Sequence, residues 1–197
     1  IIATKFSLDG ELLFSSYFGG GGYDAAAGVT VDNQQNVWIT GRTNSKDFYV
    51  TNDAAKKSIT GAYDSYILKL SDKGELLYSS YLGGSLSEYG LVVKYSEKLN
   101  QVIVIGFTDS DDYPILGNAI QSNKIGTQDE FDVTVSFFDL NSKLVWSSFV
   151  GSFNNDYPVN ATFDNEGNMI LRLYTSSYNL PVSVDAYQKN LKGNVNN

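Results

Sequence analysis

This sequence predicts an all-β fold of repeated four-stranded antiparallel sheets, and three observations carry that expectation. A Ser-Ser-aromatic triplet stands at residues 15–17, 79–81 and 147–149, about 65 residues apart. A Thr-x-Ser signature follows each triplet, at 43–45, 108–110 and 175–177. The segments between them repeat one run of short strand signals, and no long 3.6-residue period interrupts it. The composition agrees: 14 Tyr, 11 Phe and 18 Gly suit strands joined by tight turns.

Each unit holds four strand signals. The first spans 11–18, 75–82 and 143–150, and runs into Gly19-Gly20, Gly83-Gly84 and Gly151-Ser152. Glycine there permits a tight turn or a positive φ. The second lies at 27–32, 90–95 and 159–164. A polar turn follows it, Asp-Asn-Gln-Gln-Asn at 32–36 and Asp-Asn-Glu-Gly-Asn at 164–168, of the kind that closes hairpins. The third is a short apolar run at 37–41, 102–106 and 169–173. A longer connection comes next: Thr-Asn-Ser-Lys-Asp-Phe at 43–48, Thr-Asp-Ser-Asp-Asp-Tyr at 108–113 and Thr-Ser-Ser-Tyr-Asn-Leu at 175–180. Pro114 and Pro181 follow the second and third of these, and Tyr49 takes that place in the first. Short turns are expected at 53–57, 118–122 and 185–189. The fourth strand lies at 63–70 and 131–138. Four strands in each unit fit one propeller blade; a β-solenoid is the competing reading, with coils usually shorter and without this hairpin-like alternation. The units run approximately 3–67, 68–135 and 136–197, in one β-propeller segment over 1–197. The Ser-Ser-aromatic strand is expected as an innermost or second strand, packed between blades.

Composition also narrows the chemistry. The formal net charge is −8, with 22 acidic against 14 basic side chains, so a nucleic-acid backbone is repelled rather than bound. The chain has no His and no Cys. That removes Ser-His-Asp and Cys-His nucleophilic sites, thiolate metal sites and disulfides from these residues. Any chemistry must use carboxylates, Lys, Arg, Tyr or a hard cation. No apolar run approaches the ~20 residues of a membrane-spanning helix.

At specific residues the chain resembles a known family. Ser-Ser-Tyr-Leu-Gly-Gly (79–84), Val-Asp-Asn (31–33), Val-Trp-Ile-Thr-Gly-Arg-Thr-Asn-Ser (37–45) and Tyr-Asp-Ser-Tyr-Ile-Leu-Lys-Leu (63–70) look like the SBBP repeat of bacterial and archaeal β-propellers. The second copy departs at 95–101, where a longer turn replaces Asp-x-x-Gly-Asn. The third departs at 172–174, where the glycine at the strand end is missing. The resemblance implies a multi-bladed propeller on a large secreted or cell-surface protein, adhesin-like in many cases. It carries no catalytic motif, and a propeller scaffold serves unrelated activities.

The phase of the repeat adds an expectation. Residues 2–9 match a fourth-type strand, and three units are fewer than the ~4–8 blades of a closed propeller. Either the chain is a fragment that continues into the remaining blades of a longer protein, or its N-terminal strand completes the third blade in a short closed assembly. The fragment is the favoured reading.

Candidate sites follow, each with a structural alternative. Asp24, Glu88 and Asp156 recur just after the glycine turn, where a carboxylate could bind a cation or a sugar. Recurrence in every unit favours a structural carboxylate that accepts loop amides. Asp109, Asp111 and Asp112, with Asp47 in the matching loop, are candidates for Ca²⁺, which wants ~6–8 oxygens; solvated turns explain such clusters equally well. Asp164–Asn168 resembles a calcium loop only superficially. A carboxylate pair for glycoside hydrolysis would need ~5–9.5 Å between its members. Trp38, Trp146, Tyr17, Tyr81 and Phe149 are expected in the core between blades, whereas Tyr23, Tyr89, Tyr157 and Tyr178 lie in loops where they could stack on sugar rings. Asn160-Ala-Thr162 fits a glycosylation acceptor.

These readings converge on a non-enzymatic, extracellular or cell-surface propeller with structural, adhesive or protein-interaction roles and no cofactor, Ca²⁺ being the one candidate ion. Its partners would be other proteins or surface glycans. A carbohydrate-binding propeller is the alternative, and a carboxylate-dependent glycosidase or lyase the next.

Overall fold

The computed structural model describes residues 1–192. Twelve strands form four sheets: β1 (Ile2–Phe6), β2 (Leu12–Tyr17), β3 (Asp24–Val31), β4 (Val37–Thr43), β5 (Asp64–Leu70), β6 (Leu76–Leu82), β7 (Glu88–Ser96), β8 (Gln101–Thr108), β9 (Asp132–Asp139), β10 (Leu144–Val150), β11 (Asp156–Phe163) and β12 (Met169–Thr175). No helix occurs among the described residues. Two sheets have four strands, in the orders β3-β4-β5-β6 and β7-β8-β9-β10. Two have only two strands, β1-β2 and β11-β12. Every neighbouring pair is antiparallel. This is the arrangement of consecutive propeller blades.

Internal repetition reaches single residues. The pairing of second- and third-type strands breaks register at one equivalent place in each copy, between Ala26 and Gly28, Gly90 and Val92, and Pro158 and Asn160. Such a bulge bends the strand and increases its twist. It also brings the β3 backbone over Gly41, and that of β7 over Gly106, so closely that a side chain there would meet the Ala25 or Tyr89 carbonyl. In the third copy Leu173 takes this place opposite Pro158, and the two strands still pair along their length.

The sheet frame is offset by one strand from the sequence units. Each complete sheet takes the second, third and fourth strands of one unit and the first strand of the next. The sheets therefore span 24–82 and 88–150, whereas the units run 3–67, 68–135 and 136–197. The last residues of the third unit, 193–197, lie outside the described residues.

This offset corrects the expected place of the Ser-Ser-aromatic strand. It is a terminal strand of its sheet, β6 or β10, and the closest backbone approaches between sheets are those of β7 on β3, β4 and β5, and of β11 on β7, β8 and β9; its aromatics Tyr81 and Phe149 do pack into the layers between sheets. The reason lies in the two serines. The connection after the third strand returns along the outer edge of the Ser-Ser strand, and small hydroxylated side chains let it come close. In the first complete sheet Ser79 Oγ donates to the Tyr49 carbonyl (2.7 Å), and the Lys56 amide donates to Ser80 Oγ (3.0 Å). The amides of Thr51 and Tyr81 donate to the Ser79 and Lys56 carbonyls. The second sheet repeats this with Ser147 on Pro114 (2.7 Å) and the Gln121 amide on Ser148 (2.9 Å). The loop thereby covers an edge that would otherwise be free to pair.

Three apolar layers separate the four sheets. Ala3, Ile39, Tyr66 and Leu68 fill the first, between β1-β2 and the first complete sheet. Trp38, Ile67, Val93, Val104 and Phe149 fill the second. Ile103, Ile105, Val133 and Ala161 fill the third. Trp38, Tyr81 and Phe149 are fully buried as expected, and Trp146 is half-buried. Tyr17 departs from expectation: it is 84% exposed, whereas its equivalents Tyr81 and Phe149 are at 2% and 0%. The layer and loop that bury those two have no counterpart around β2.

Candidate functional site

The repeated acids and the Thr-x-Ser signature form one device. Asp24 opens β3, and its carboxylate accepts from Thr43 Oγ1 (2.5 Å), Ser45 Oγ (3.0 Å) and the Gly20 amide (2.8 Å). Glu88 opens β7 and accepts from Thr108 Oγ1 (2.6 Å) and from Ser110. Asp156 opens β11 and accepts from Ser177 Oγ (2.8 Å) and the Ser152 amide (2.9 Å). Each acid ties the glycine turn to the end of the third-type strand. Glu88 and Asp156 are buried, and each keeps one oxygen without a hydrogen-bond partner. Burial pushes the Glu88 carboxyl up, against the hydroxyls that favour its charged form.

The calcium candidates are engaged by amides as well. Asp112 Oδ1 accepts from the Ser85 amide (2.8 Å) and hydroxyl (3.0 Å), and Asp109 Oδ1 accepts from the Ser87 amide (2.5 Å). Asp47 holds the Gly21 amide in the same way (2.8 Å). Asp111 is exposed. Among the described residues no group of three or more carboxylates converges as a metal cage would require. Asp164 accepts from the Glu166 and Asn168 amides (2.9 and 2.8 Å) and shapes the β11–β12 turn, as Asp32 does for β3–β4.

A second repeated acid was not singled out in the sequence. Asp64 opens β5 and Asp132 opens β9, both with no solvent exposure. Tyr-Asp at 63–64 and Phe-Asp at 131–132 are the signal that could have found them. Asp64 is ion-paired to Lys56 at 2.6 Å. Asp132 accepts from Gln121 Nε2 (2.9 Å) and the Ile125 amide (3.0 Å).

Of the four tyrosines expected in loops, Tyr23, Tyr89 and Tyr157 come together and Tyr178 does not join them; Tyr89 and Tyr157 lie not in loops but in β7 and β11, each next to the acid that opens its strand. The three belong to a continuous aromatic band at the ends of the strands. Tyr23 meets Tyr63 edge-on at 6.3 Å, and Tyr63 lies 5.7 Å from Tyr89. Tyr89 stacks on Phe107 at 4.7 Å with 14° between the planes. Phe107 meets Phe131 and Tyr157 edge-on at 5.2 and 4.9 Å. The Arg42 guanidinium lies over three of these rings, 5.4 Å from Tyr23, 5.6 Å from Tyr63 and 5.0 Å from Tyr89. Tyr23 is 51% exposed and the other rings are half-buried. Burial pushes the Tyr89 phenol up, with Arg42 opposing, and pushes up that of Tyr157. Both stay neutral donors across the physiological range. Arg42, Tyr63, Phe107 and Phe131 escape sequence reasoning because they sit at the edges of strand signals, Tyr63 and Phe131 as the first residue of one and Arg42 and Phe107 as the residue just after one. Their common trait is position: Arg42 and Phe107 precede the Thr of Thr-x-Ser, and Tyr63 and Phe131 precede the buried acid.

Tyr178 is exposed, and Asn160 lies exposed within β11. No helix among the described residues is long and apolar enough to cross a membrane. An open apolar cleft of about 450 Å³ separates Ile2 and Ala3 of β1 from Gly28, Val29 and Val31 of β3.

Comparison with known proteins adds one match. Residues 13–49 fit the family model described as the SBBP beta-propeller repeat. They cover most of β2, all of β3 and β4, and the start of the loop that follows. No curated protein matches the chain. Residues 13–49 thus match an SBBP β-propeller repeat, and the four-stranded antiparallel sheets around them are consistent with propeller blades.

Proposed function

We propose that this chain is a non-enzymatic interaction module, a propeller segment that offers its aromatic–arginine band to a protein partner outside the cell or at its surface. The observation that carries this reading is the band itself: six rings and one guanidinium in van der Waals sequence, partly open to solvent. Tyr and Arg dominate the energetic centres of protein interfaces. Sugar recognition needs a ring face free for stacking. Here Tyr89 and Phe107 cover one another, and Arg42 covers part of Tyr23, Tyr63 and Tyr89. What remains open is a mixed surface of ring edges, hydroxyls and one cation, which suits a protein better than a pyranose. The setting outside the cytoplasm rests on the resemblance to secreted and surface propellers. The non-enzymatic reading is supported by the absence of His and Cys and by the repeated acids being spent on their own loops.

The test compares the wild-type chain with Tyr23→Ser and Arg42→Gln, both checked for unchanged melting. Each is assayed against the surface proteins of the source cells and against a glycan array. The expected result is protein binding that weakens at least ~10-fold in either variant, the usual size for a central aromatic or Arg. Glycan binding with the same sensitivity would replace this reading with the lectin one. Equal binding by wild type and variants would remove the band from function.

A further inference from the structure

We propose that Asp132 and Asp156 hold a monovalent metal cation in the seam between the second complete sheet and β11-β12, where the seam before it holds the Lys56 ammonium. The two seams are built alike. In the first, Glu88 opens β7 and its amide donates to the Tyr63 carbonyl (2.9 Å), which sets Glu88 beside Asp64. In the second, Asp156 opens β11 and its amide donates to the Phe131 carbonyl (2.7 Å), which sets Asp156 beside Asp132. A glycine-led turn runs past each pair of acids. A side chain on Gly83 would collide with the Glu88 carboxylate, and one on Gly151 with that of Asp132. The next amide along the second turn, that of Ser152, donates to Asp156 (2.9 Å).

Lys56 shows what the first seam accepts. Its ammonium lies 2.6 Å from Asp64 Oδ2 and donates to Thr60 Oγ1 (2.7 Å) and to the carbonyls of Gly84 (2.8 Å) and Gly83 (3.1 Å). Four oxygens thus surround one positive charge that the chain itself supplies. In the second seam Gln121 takes the place of Lys56, and its side chain ends one atom sooner. Its Nε2 donates to Asp132 Oδ2 (2.9 Å) and to the Asn123 carbonyl (2.9 Å), and its Oε1 accepts from the Gly151 amide (3.1 Å). None of these contacts satisfies Asp132 Oδ1 or Asp156 Oδ1. Both oxygens are shut off from solvent without a hydrogen-bond partner, and both residues are 0% exposed.

The charges divide in the same way. Among the described residues Lys56–Asp64 is the one ion pair. Lys124 lies in the loop beside Asp132, but its ammonium donates to the Thr127 carbonyl (2.5 Å). Buried charges are paired, coordinate a metal or are neutralised by a proton. The second seam has the ligands for a metal. Asp132 Oδ1 and Asp156 Oδ1 are two anionic oxygens, and the Gly151 and Ser152 carbonyls stand at the positions whose counterparts meet the ammonium. Asp109 and Asp112 belong to a different turn, where the Ser87 and Ser85 amides engage them.

The template also selects the ion. Oxygens lie 2.6 to 3.1 Å from the ammonium, a wider shell than the ~2.3–2.6 Å of Ca²⁺ or the ~2.0–2.1 Å of Mg²⁺. Ca²⁺ also takes ~6–8 oxygens, more than this set supplies. One positive charge suffices in the first seam. K⁺ matches the ammonium in charge and is close to it in size.

Melting of the intact chain at pH 7.5 tests the site, in ~0.15 M potassium chloride against tetramethylammonium chloride at the same ionic strength. The expected rise in K⁺ is ~3–6 °C, the size for an ion at about ten times its dissociation constant. Asp132→Asn and Asp156→Asn should each lose that rise. Gln121→Lys should lose it too, because the chain then supplies its own ammonium, and Lys56→Gln should gain a second response in the first seam. Crystals grown in rubidium chloride should show an anomalous peak between Asp132 and Asp156. Equal melting in the two salts overturns the proposal and leaves the two acids to share a proton. A rise that survives Asp132→Asn or Gln121→Lys overturns it by placing the ion elsewhere. Stabilisation by Ca²⁺ and not by K⁺ overturns the monovalent occupant.

Discussion

The two complete sheets share their topology, bulges and turns, yet they neutralise the same buried acid in different ways. In the first, Lys56 brings an ammonium to Asp64 at 2.6 Å and also donates to the carbonyls of Gly83 (3.1 Å) and Gly84 (2.8 Å). In the second, Gln121 holds the equivalent place. Its amide donates to Asp132 (2.9 Å), and its carbonyl accepts from the Gly151 amide (3.1 Å). The geometry is conserved while the charge is not. Behind each acid lies the carboxylate of the next sheet, Glu88 behind Asp64 and Asp156 behind Asp132; the Asp64 charge adds to the rise of the Glu88 carboxyl, and the Asp156 charge to that of Asp132. The first seam therefore balances two acids with a cation, and the second balances two acids with a neutral amide. The sheet fold needs the hydrogen bonds at this point; a cation paired directly with the acid is an addition that one copy has and the other lacks.

The strongest way to break this comparison is Lys56→Met. It would leave Asp64 wholly buried beside Glu88 with no positive partner, at a cost of about 3 kcal/mol, as for other buried pairs that lose one member. Urea unfolding at pH 7.5 measures it. The penalty should shrink at pH 5, because burial already pushes the Asp64 carboxyl up and a protonated Asp64 no longer needs the ammonium. A loss under about 1 kcal/mol would mean that Lys56 is a surface cation and not the counter-charge.

A smaller effect sharpens the comparison from the other side. Burial pushes the Asp132 carboxyl up to about 6; the Ile125 amide, Gln121 and Lys124 pull it down, and Asp156 adds to the rise. The unfolded value is near 3.9. The native state thus holds this proton more tightly, and the stabilisation is complete below about pH 4 and lost as pH rises through about 6. That loss is at most about 3 kcal/mol. Asp132→Asn should remove it, and the difference between wild-type and variant stability curves isolates this one group. Gln121→Lys should flatten the same pH step by giving Asp132 the cation that Asp64 already has. A step that survives both substitutions would place the titration elsewhere.

How much of this was legible in the sequence depends on what each residue touches. The strands could be read because their signals are local: apolar runs end at Gly-Gly or at an Asp-to-Asn turn. The second-type strands start earlier than their apolar cores, at Asp24, Glu88 and Asp156, because the acid is held by Thr-x-Ser hydroxyls distant in sequence. The sheet frame was hidden for the same reason. Which strand of a repeat closes the previous sheet is settled by pairing across the Gly10, Gly74 and Ser142 turns, whose positive φ values of 82°, 83° and 66° commit the fourth and first types to one hairpin. Lys56 against Gln121 was visible as Ala-Ala-Lys-Lys against Ala-Ile-Gln-Ser, but nothing local says that this position faces a buried carboxylate.

The smallest expected effect compares the acids that the Thr-x-Ser loops hold. Glu88 is 1% exposed and Asp24 is half-buried, although both accept one Thr and one Ser hydroxyl. Ser110→Ala takes a donor from a carboxylate that water does not reach, and Glu88 already has one oxygen without a partner. The cost should be about 2 kcal/mol, the range for a hydrogen bond to a charged group left unsatisfied. Ser45→Ala takes the same donor from Asp24, where water can replace it and the Gly20 amide still binds the same oxygen, so the cost should be about 1 kcal/mol or less. The two substitutions delete the same atom from the same motif. A difference between them in urea unfolding therefore measures what the preceding sheet contributes by closing the turn. Equal losses would show that the open side of the first sheet, beside β1-β2, is as dry as the seam between the two complete sheets.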